Sequence, residues 1–315
     1  MGSKLSLLVA VGGGKGGVGK SLVAANLAIA CARLGLRVVA VDADLGAANL
    51  HTMFAIDRPK ANLQALVTGR VRSLEEVVEP TSVPRLFLVP GSGGEEGASS
   101  IKHAQKLKLI RHIHSLEADV IVIDCGAGVS HTALDFFAMA DWRLLVVTPQ
   151  LVSLHNAYAF LKGAVFRSFR QLTLNARERD CLSAAIEGGA GERVDALLQR
   201  VRGQEPELAL AMRHCLRHFG AAVVGNQTDG SKPSAALQAF TRMARDFLQL
   251  DVPILGNIAR TDRLHHSVTQ RKPFLAHSLA SVEAKTFFHI SEQLLALDVG
   301  RLRHERIRRP STDRP

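Results

Sequence analysis

The chain has 315 residues, of which 47% are hydrophobic and 22% are charged, and this composition is that of a globular protein with a substantial core. Lys and Arg outnumber Asp and Glu by 39 to 29, so the formal charge of +10 favours anionic partners such as nucleotides, nucleic acid or acidic lipid. No apolar run approaches the roughly 18–20 residues of a membrane-spanning helix. The four cysteines are scattered without a CxxC pair, so we expect neither a zinc site nor a disulfide framework, and a cytoplasmic location.

Short apolar runs alternate with longer stretches of helical periodicity, a pattern typical of βαβ units. The predicted strands, in chain order, are 5–11, 37–41, 86–89, 120–123, 144–148, 221–225 and 253–258. The predicted helices between them are 21–34, 101–116, 132–140, 155–166, 235–248 and 281–297. The sequence therefore predicts an α/β fold with a doubly wound, mainly parallel sheet flanked by helices.

Two segments interrupt this alternation. Residues 171–219 contain no clear strand, and because loops of that length rarely lack structure of their own, we expect a helical insertion there. Residues 301–315 carry six arginines and few apolar side chains, which predicts a flexible basic tail. We expect the rest of the chain, residues 1–300, to form a single domain.

A glycine-rich segment follows the first predicted strand and precedes the first predicted helix. It reads Gly14-Lys15-Gly16-Gly17-Val18-Gly19-Lys20-Ser21 and satisfies the pattern G-x-x-x-x-G-K-[ST]. Glycines let consecutive backbone N–H groups turn toward a phosphate, and the start of the following helix favours the same negative charge. We expect Lys20 to neutralise phosphate oxygens and the hydroxyl of Ser21 to bind Mg²⁺. The segment therefore predicts a nucleotide site.

A second lysine, Lys15, occupies the first variable position of this loop. From there its side chain is badly placed to reach the γ-phosphate of its own nucleotide. It is better placed to reach a nucleotide that a facing subunit holds, and the alternative is a solvated loop lysine.

Three aspartates stand at the carboxyl ends of predicted strands. Asp42 and Asp44 follow strand 37–41, and Asp124 follows strand 120–123. Carboxyl ends of parallel strands meet at one edge of the sheet, so these carboxylates should lie beside the phosphate loop. We expect one of the first two to orient the shell of Mg²⁺ and the other to position the attacking water, with Asp124 as a Walker B acid on the metal.

Together these segments resemble the deviant Walker A ATPases of the MinD/ParA family, whose loop reads K-G-G-V-G-K-[ST], as at residues 15–21. Further segments that carry the resemblance are 41–50, 90–93, 106–111, 121–128, 147–149, 156–159 and 255–258. The resemblance covers residues from about 5 to 170 and again from 221 to 297, and it is more specific in the first half. Within the family the motifs are most similar to those of the FlhG (FleN) group of flagellar-number ATPases.

This resemblance implies a slow, Mg²⁺-dependent ATPase that forms a face-to-face homodimer with ATP. It assigns Lys15 to the partner's nucleotide, Asp44 to the hydrolytic water, and Asp42 and Asp124 to the surroundings of Mg²⁺. It also implies that Asn226 holds adenine. In the family, hydrolysis resets the dimer and releases it from a membrane, DNA or a protein. For this chain, the similarity to the FlhG group implies that the switch regulates the position or number of a polar structure such as the flagellum.

Several alternatives remain open from the sequence. Asn226-Gln227-Thr228-Asp229 is similar to the guanine motif N-K-x-D, so GTP is the alternative nucleotide. The positive charge suits a DNA-partitioning ATPase that binds DNA without sequence preference. A nucleotide-dependent regulatory adaptor that acts through residues 171–219 is a third possibility. The arginines of residues 301–315 suit peripheral association with the anionic inner face of a membrane, or a solvated end.

Overall fold

A computed structural model of the chain describes residues 6–92, 101–189, 192–230 and 232–308, the last ten of them (299–308) by their backbone alone. The strands form one sheet in the order β3-β4-β2-β5-β1-β6-β7-β8, in which only the pairing of β3 with β4 is antiparallel. The strands are β1 (Leu7–Gly12), β2 (Val38–Ala43), β3 (Glu79–Pro80), β4 (Leu86–Val89), β5 (Val120–Cys125), β6 (Trp142–Val147), β7 (Ala221–Thr228) and β8 (Ile254–Ala259).

Helices cover both faces of this sheet. They are α1 (Lys20–Arg33), α2 (Leu63–Val67), α3 (His103–His114), α4 (His131–Ala138), α5 (Leu151–Leu172), α6 (Ala176–Glu187), α7 (Val194–Gln204), α8 (Pro206–Arg217), α9 (Ala235–Leu248), α10 (Asp262–Thr269), α11 (Phe274–His277) and α12 (Val282–Arg308), with a 3-10 helix at Leu50–Phe54. Side chains alternate along β1, so that Val9 and Val11 join a core with α1 and α12, whereas Leu8 and Ala10 join a core with α4 and α5. The fold is therefore the predicted doubly wound α/β sandwich.

All seven predicted strands and all six predicted helices are confirmed, with shifts at their ends. Strands β2, β5 and β7 run further than predicted because their backbone ladders continue under polar side chains such as Asp42 and Asp124. The sequence analysis missed the two-residue strand β3, the short helices α2 and α11, and α10. These elements are too short to give a clear periodicity.

The helical content predicted for residues 171–219 is confirmed, since α6, α7 and α8 fill the segment. Each helix buries an apolar stripe, for example Leu197, Leu198 and Val201 on α7. Helix α8 packs against α5, and α7 packs against α9. The insertion therefore adds a helical layer outside α5 and α9, away from the phosphate loop.

The last helix, α12, continues to Arg308 and thus includes the first part of the segment that the sequence predicts to be flexible. Residues 301–308 consist mainly of Arg, Leu, Glu and Ile, which helices accept, and the next proline is Pro310. Residues 309–315 lie outside the described residues, so the division into a domain and a flexible tail stays a prediction. Within the described ranges, no helix is both long and apolar enough to span a lipid bilayer.

Candidate nucleotide site

The glycine-rich loop connects β1 to α1 and depends on glycine at several positions. Gly17 and Gly19 have φ angles of +78° and +90°, a left-handed region that other residues rarely adopt. A Cβ on Gly14 would overlap the backbone of Asn156 in the first turns of α5. The loop is therefore held in one conformation both by its own backbone angles and by its close contact with α5.

The start of α1 supplies the two side chains that the sequence analysis assigns to phosphate and metal. Lys20 is buried, and its Nζ donates a hydrogen bond to the backbone oxygen of Lys15 at 3.3 Å. Ser21 is half-buried, lines the cavity described below and hydrogen-bonds the carboxyl of Asp124. The N-cap residue of α1, Gly19, has no side chain, so the first N–H groups of the helix remain available to an anion.

Asp42 and Asp124 lie opposite each other on the neighbouring parallel strands β2 and β5. Both oxygens of Asp42 accept backbone hydrogen bonds, from Asp44 at 3.1 Å and from Leu50 at 2.9 Å. Asp42 therefore fastens the segment from Asp44 to Leu50 to the end of β2, and a role near Mg²⁺ would be exerted through water.

The Asp124 carboxyl is buried, and its Oδ1 has no hydrogen-bond partner. Burial, together with the charge of nearby Asp42, raises the pKa of Asp124, although Ser21 and Lys20 act in the opposite direction. A buried oxygen without a partner is costly, and a bound cation would relieve that cost. The Asp124 oxygen and the Ser21 hydroxyl therefore fit Mg²⁺, which prefers oxygen ligands.

No group of three or more His, Cys, Asp and Glu side chains surrounds a metal position in the described part of the chain. Mg²⁺ is commonly held by one or two carboxylates together with phosphate oxygens of a substrate. The donor set at Asp124 and Ser21 matches that arrangement, in which the nucleotide completes the shell of the ion.

Asp44 is half-buried at the mouth of the site. Its Oδ1 accepts hydrogen bonds from the backbone N–H groups of Gly46 and Ala47, at 3.2 and 3.0 Å. A Cβ on Gly126 would lie 3.3 Å from the Asp44 carboxyl, so the loop after β5 passes close to it. This position lets Asp44 face a water molecule near the phosphates while it remains oriented by the backbone.

A cavity of about 660 Å³ opens at the carboxyl edge of the sheet, within the range of roughly 300–1,000 Å³ that small-ligand sites occupy. Of the predicted site residues, Gly16, Gly17, Gly19, Lys20, Ser21, Asp44 and Asn226 line it. Asp42, Asp124 and Val18 are buried, Gly14 lies against Asn156, and Lys15 is exposed on the surface. The structure thus brings seven of the twelve predicted residues to the wall of one cavity, and the other five do not line it.

The far wall of the cavity was missed by the sequence analysis. It consists of Met53 and of residues at the end of β8 and in α10, namely Ala259, Arg260, Thr261, Asp262, Leu264, His265 and Val268. The position of β8 gave a usable signal, because its carboxyl end lies at the same edge of the sheet as the phosphate loop.

Asn226 has a structural role beside its place in the cavity. Its Nδ2 donates a hydrogen bond to the backbone oxygen of Val18 at 2.8 Å, and a Cβ on Gly19 would overlap the same amide. Asn226 thus locks the phosphate loop against β7. Asp229 is exposed and is not among the described residues that line the cavity, which weakens the similarity to a guanine motif.

Comparison with known proteins identifies the family. The sequence model of the ParA family, described as NUBPL iron-transfer P-loop NTPase, matches residues 4–165. The chain is 36% identical over 157 residues to the antiactivator FleN of Pseudomonas aeruginosa, which covers 49% of this chain and 55% of that protein. It is 37% identical over 156 residues to the flagellum site-determining protein YlxH of Helicobacter pylori, which covers 49% of this chain and 52% of that protein.

The chain therefore spans about half the length of the curated relatives it matches. Among solved structures, the septum site-determining protein MinD of Pyrococcus horikoshii, complexed with Mg-ADP, superposes with a TM-score of 0.66 at 20% identity. The superposition covers 93% of this chain and 98% of that structure, and at this identity it establishes the fold alone. Taken with the phosphate loop and the strand-end acids, the family match shows that the chain belongs to the ParA family of P-loop NTPases.

Proposed function

We propose that this chain is a Mg²⁺-dependent, slow ATPase that acts as a molecular switch of the MinD/FlhG type. It dimerises with ATP and regulates the position or number of a polar structure such as the flagellum. The observation that carries this proposal is the buried Asp124 carboxyl, whose partnerless oxygen lies beside Ser21 and Lys20 at the start of α1.

Each predicted residue takes a role that its position supports. The N–H groups of residues 14–21 and the ammonium of Lys20 bind the phosphates. Ser21 and Asp124 hold Mg²⁺, and Asp42 supports them from behind while it fixes the backbone before Leu50. When bound, Mg²⁺ would neutralise charge on the β- and γ-phosphate oxygens. Asp44 positions the attacking water from the mouth of the cavity.

ATP is the proposed nucleotide rather than GTP. In the guanine motif N-K-x-D the aspartate contacts the base, and its counterpart here, Asp229, is exposed and does not line the cavity. Asn226 lines the cavity, and because one N–H of its Nδ2 is donated to the backbone of Val18, its oxygen and its second N–H would remain to face adenine.

The same edge of the sheet suits a homodimer. Lys15 is exposed beside the cavity, and three apolar side chains on the adjoining segments are exposed as well: Val129 by 56%, Leu151 by 81% and Val152 by 58%. These segments follow β5, β1 and β6, which are neighbours in the sheet, so they form one surface around the phosphate loop. A second copy of the chain would cover this apolar surface and bring its own Lys15 to the nucleotide.

Iron transfer, which the family description mentions, is not part of the proposal. Three of the four cysteines (Cys31, Cys125 and Cys181) are buried, and Cys215 is half-buried. They lie on four different elements, and burial raises the pKa of each thiol, which disfavours the thiolate that binds iron.

The test is hydrolysis of ATP and of GTP by the purified chain, with Mg²⁺ and with the metal removed by a chelator. The proposal expects hydrolysis of ATP that requires Mg²⁺ and that the Asp44→Ala variant loses, while that variant still binds ATP. Tight binding of ATP without hydrolysis in the wild type would instead favour the regulatory adaptor. Faster turnover of GTP than of ATP would overturn the assignment of the nucleotide.

The surface on which the switch acts is tested separately with the Asp44→Ala variant, which should stay in its ATP dimer. Flotation with anionic liposomes that requires ATP and the basic residues 301–315 would support a peripheral membrane protein. Retention on duplex DNA that requires ATP and weakens steeply with salt would favour the DNA-partitioning alternative. Binding to neither would leave a protein as the partner of the switch.

A further inference from the structure

A buried cluster of charges lies outside the nucleotide site and joins three helices. The carboxyl of Asp135 on α4 contacts the ammonium of Lys106 on α3 and the guanidinium of Arg167 on α5. The contact between Arg167 and Asp135 is bidentate, and the longer of its two hydrogen bonds, from Nη2 of Arg167 to Oδ2 of Asp135, measures 3.0 Å. Asp135 and Lys106 are buried, and Arg167 is half-buried. We call these three residues the charge triad.

Apolar side chains pack the rest of the α4–α5 interface. One residue before Asp135, Leu134 packs closely against Gly163 of α5, and the rings of Phe137 and Phe160 lie 4.8 Å apart in the same interface. Buried ion pairs are seldom more stabilising than apolar side chains of the same size, because both charges must lose their water. Stability of the α4–α5 interface alone therefore does not account for charges at this place.

Two of the three helices, α4 and α5, adjoin segments that contact the phosphate loop. Helix α4 begins directly after the loop at residues 126–130, and the Ser130 hydroxyl caps it by accepting the N–H of Ala133 at 3.2 Å. In that loop, Gly126 lies beside Asp44, and Ala127 lies beside Gly16 of the phosphate loop. Helix α5 carries Asn156, whose backbone lies against Gly14.

We propose that the charge triad is a positioning device that fixes α4 between α3 and α5 and thereby holds the loop at residues 126–130 against Asp44 and the phosphate loop. Because Asp135 pairs with cations on both α3 and α5, the pairs define the register of α4 more strictly than apolar packing does. A shift of α4 by one residue would separate the charges. Lys106, Asp135 and Arg167 do not line the nucleotide cavity, so any effect they have on turnover is exerted through the loop. The expected change in kcat rests on the proposed ATPase function, whereas the expected change in the hydrogen exchange of residues 126–130 does not.

The consequence concerns turnover rather than binding. Affinity for the nucleotide comes mainly from residues 14–21, which the charge triad does not contact. Gly126 lies beside Asp44, and the loop that contains Gly126 ends at Ser130, the N-cap of α4. Loss of the charge triad should therefore lower kcat and leave KM and the affinity for ADP nearly unchanged.

The experiment uses the full chain and replaces all three charges together, as Lys106→Met, Asp135→Leu and Arg167→Met, because a single change would leave buried charges without a partner. The surface change Asp251→Asn, which breaks the exposed pair with Arg245, is the matched control. Four quantities are compared with the wild type: Tm, affinity for ADP, kcat and KM, and the hydrogen exchange of residues 126–130.

We expect the triple variant to keep its Tm and its affinity for ADP, to lose about tenfold or more in kcat, and to exchange faster at residues 126–130. The control should match the wild type throughout. If the wild type hydrolyses ATP and the triple variant keeps both its kcat and its exchange, the charge triad is only structural and the inference fails. If the wild type does not hydrolyse ATP, the proposed function fails, and the exchange of residues 126–130 alone decides the inference, with unchanged exchange refuting it.

Discussion

At the carboxyl edge of the sheet, Asp42 and Asp124 lie buried side by side, Gly17 and Gly19 hold left-handed backbone angles, and an oxygen of Asp124 lacks a partner. The inserted helices α6–α8 are built differently. They bury apolar stripes, and their ion pairs, such as Arg193–Asp195, lie at the surface.

This difference indicates that the carboxyl edge of the sheet is less favourable for the free energy of folding than the insertion is. The edge retains strained glycines and a fully buried carboxylate, which cost free energy unless a ligand relieves them, whereas the insertion mainly buries apolar side chains and keeps its charged residues partly exposed. Mutations at the edge should therefore change activity more than stability, and mutations in the insertion should do the reverse.

The largest effect is expected from Asp44→Ala. If Asp44 positions the attacking water as proposed, its removal should lower kcat by about 10²–10³-fold, while affinity for ATP changes little. Single-turnover hydrolysis with equilibrium binding of ATP separates the two quantities. A variant that keeps more than half of the wild-type kcat would show that another group positions the water.

The second prediction concerns the insertion. Met212 on α8 is fully buried, so Met212→Ala should lower the free energy of unfolding by about 2–4 kcal/mol and leave kcat unchanged at a temperature where the variant is folded. Chemical denaturation and ATPase assays on the same preparation measure both. Loss of kcat in the folded variant would mean that the insertion takes part in turnover and would break the contrast.

The third prediction concerns the phosphate loop. Gly19→Ala should lower the free energy of unfolding by about 1–3 kcal/mol and weaken the binding of ADP, because the φ angle of +90° disfavours a side chain and the new Cβ overlaps the amide of Asn226. Adding Asn226→Ala removes the overlap but not the strain, so it should restore part of the loss. Titration calorimetry with ADP on the two single variants and the double variant measures the coupling between Gly19 and Asn226. Purely additive changes in the free energy of ADP binding would contradict the contact between these two residues.

The smallest effect, and the most specific, is a gain in stability. Burial and the charge of Asp42 raise the pKa of Asp124, so the folded protein loses stability as the pH rises from the ordinary carboxyl range to that raised pKa. Asp124→Asn should therefore raise the Tm of the nucleotide-free protein by a few degrees at about pH 8 and hardly at all at about pH 4. A lower Tm at about pH 8 would contradict the cost assigned to the buried carboxylate.

The same contrast explains what could be predicted from the sequence. Residues 14–21 were predicted to form a loop between a strand and a helix, and the aspartates at 42, 44 and 124 to lie at strand ends, and the structure has them there. The signal is particular residue types at fixed spacing after a strand, and the roles of these residues in binding and hydrolysis stay predictions. The amphipathic stripe of α7 likewise predicted a helix. Both kinds of signal are local in the chain.

Features that depend on distant parts of the chain escaped prediction. The hydrogen bond from Asn226 to Val18 joins residues 208 positions apart, and α10 reaches the cavity only through the order of strands in the sheet. Nothing in the local sequence distinguishes Asp135 from an exposed polar residue of a helix. Only the packing of α3 and α5 against α4 shows that it is buried between two cations. No short motif reports such contacts.

A nucleotide-driven switch requires that ATP, and not ADP, assembles two copies of this chain. The most direct measurement is the mass of the Asp44→Ala variant in solution, by analytical ultracentrifugation, without nucleotide, with Mg-ADP and with Mg-ATP. We expect a monomer in the first two conditions and a dimer only with Mg-ATP, and we expect adding Lys15→Ala to abolish that dimer. The same mass in all three conditions, with bound ATP confirmed in the sample, would contradict the account of this protein as a nucleotide-driven switch.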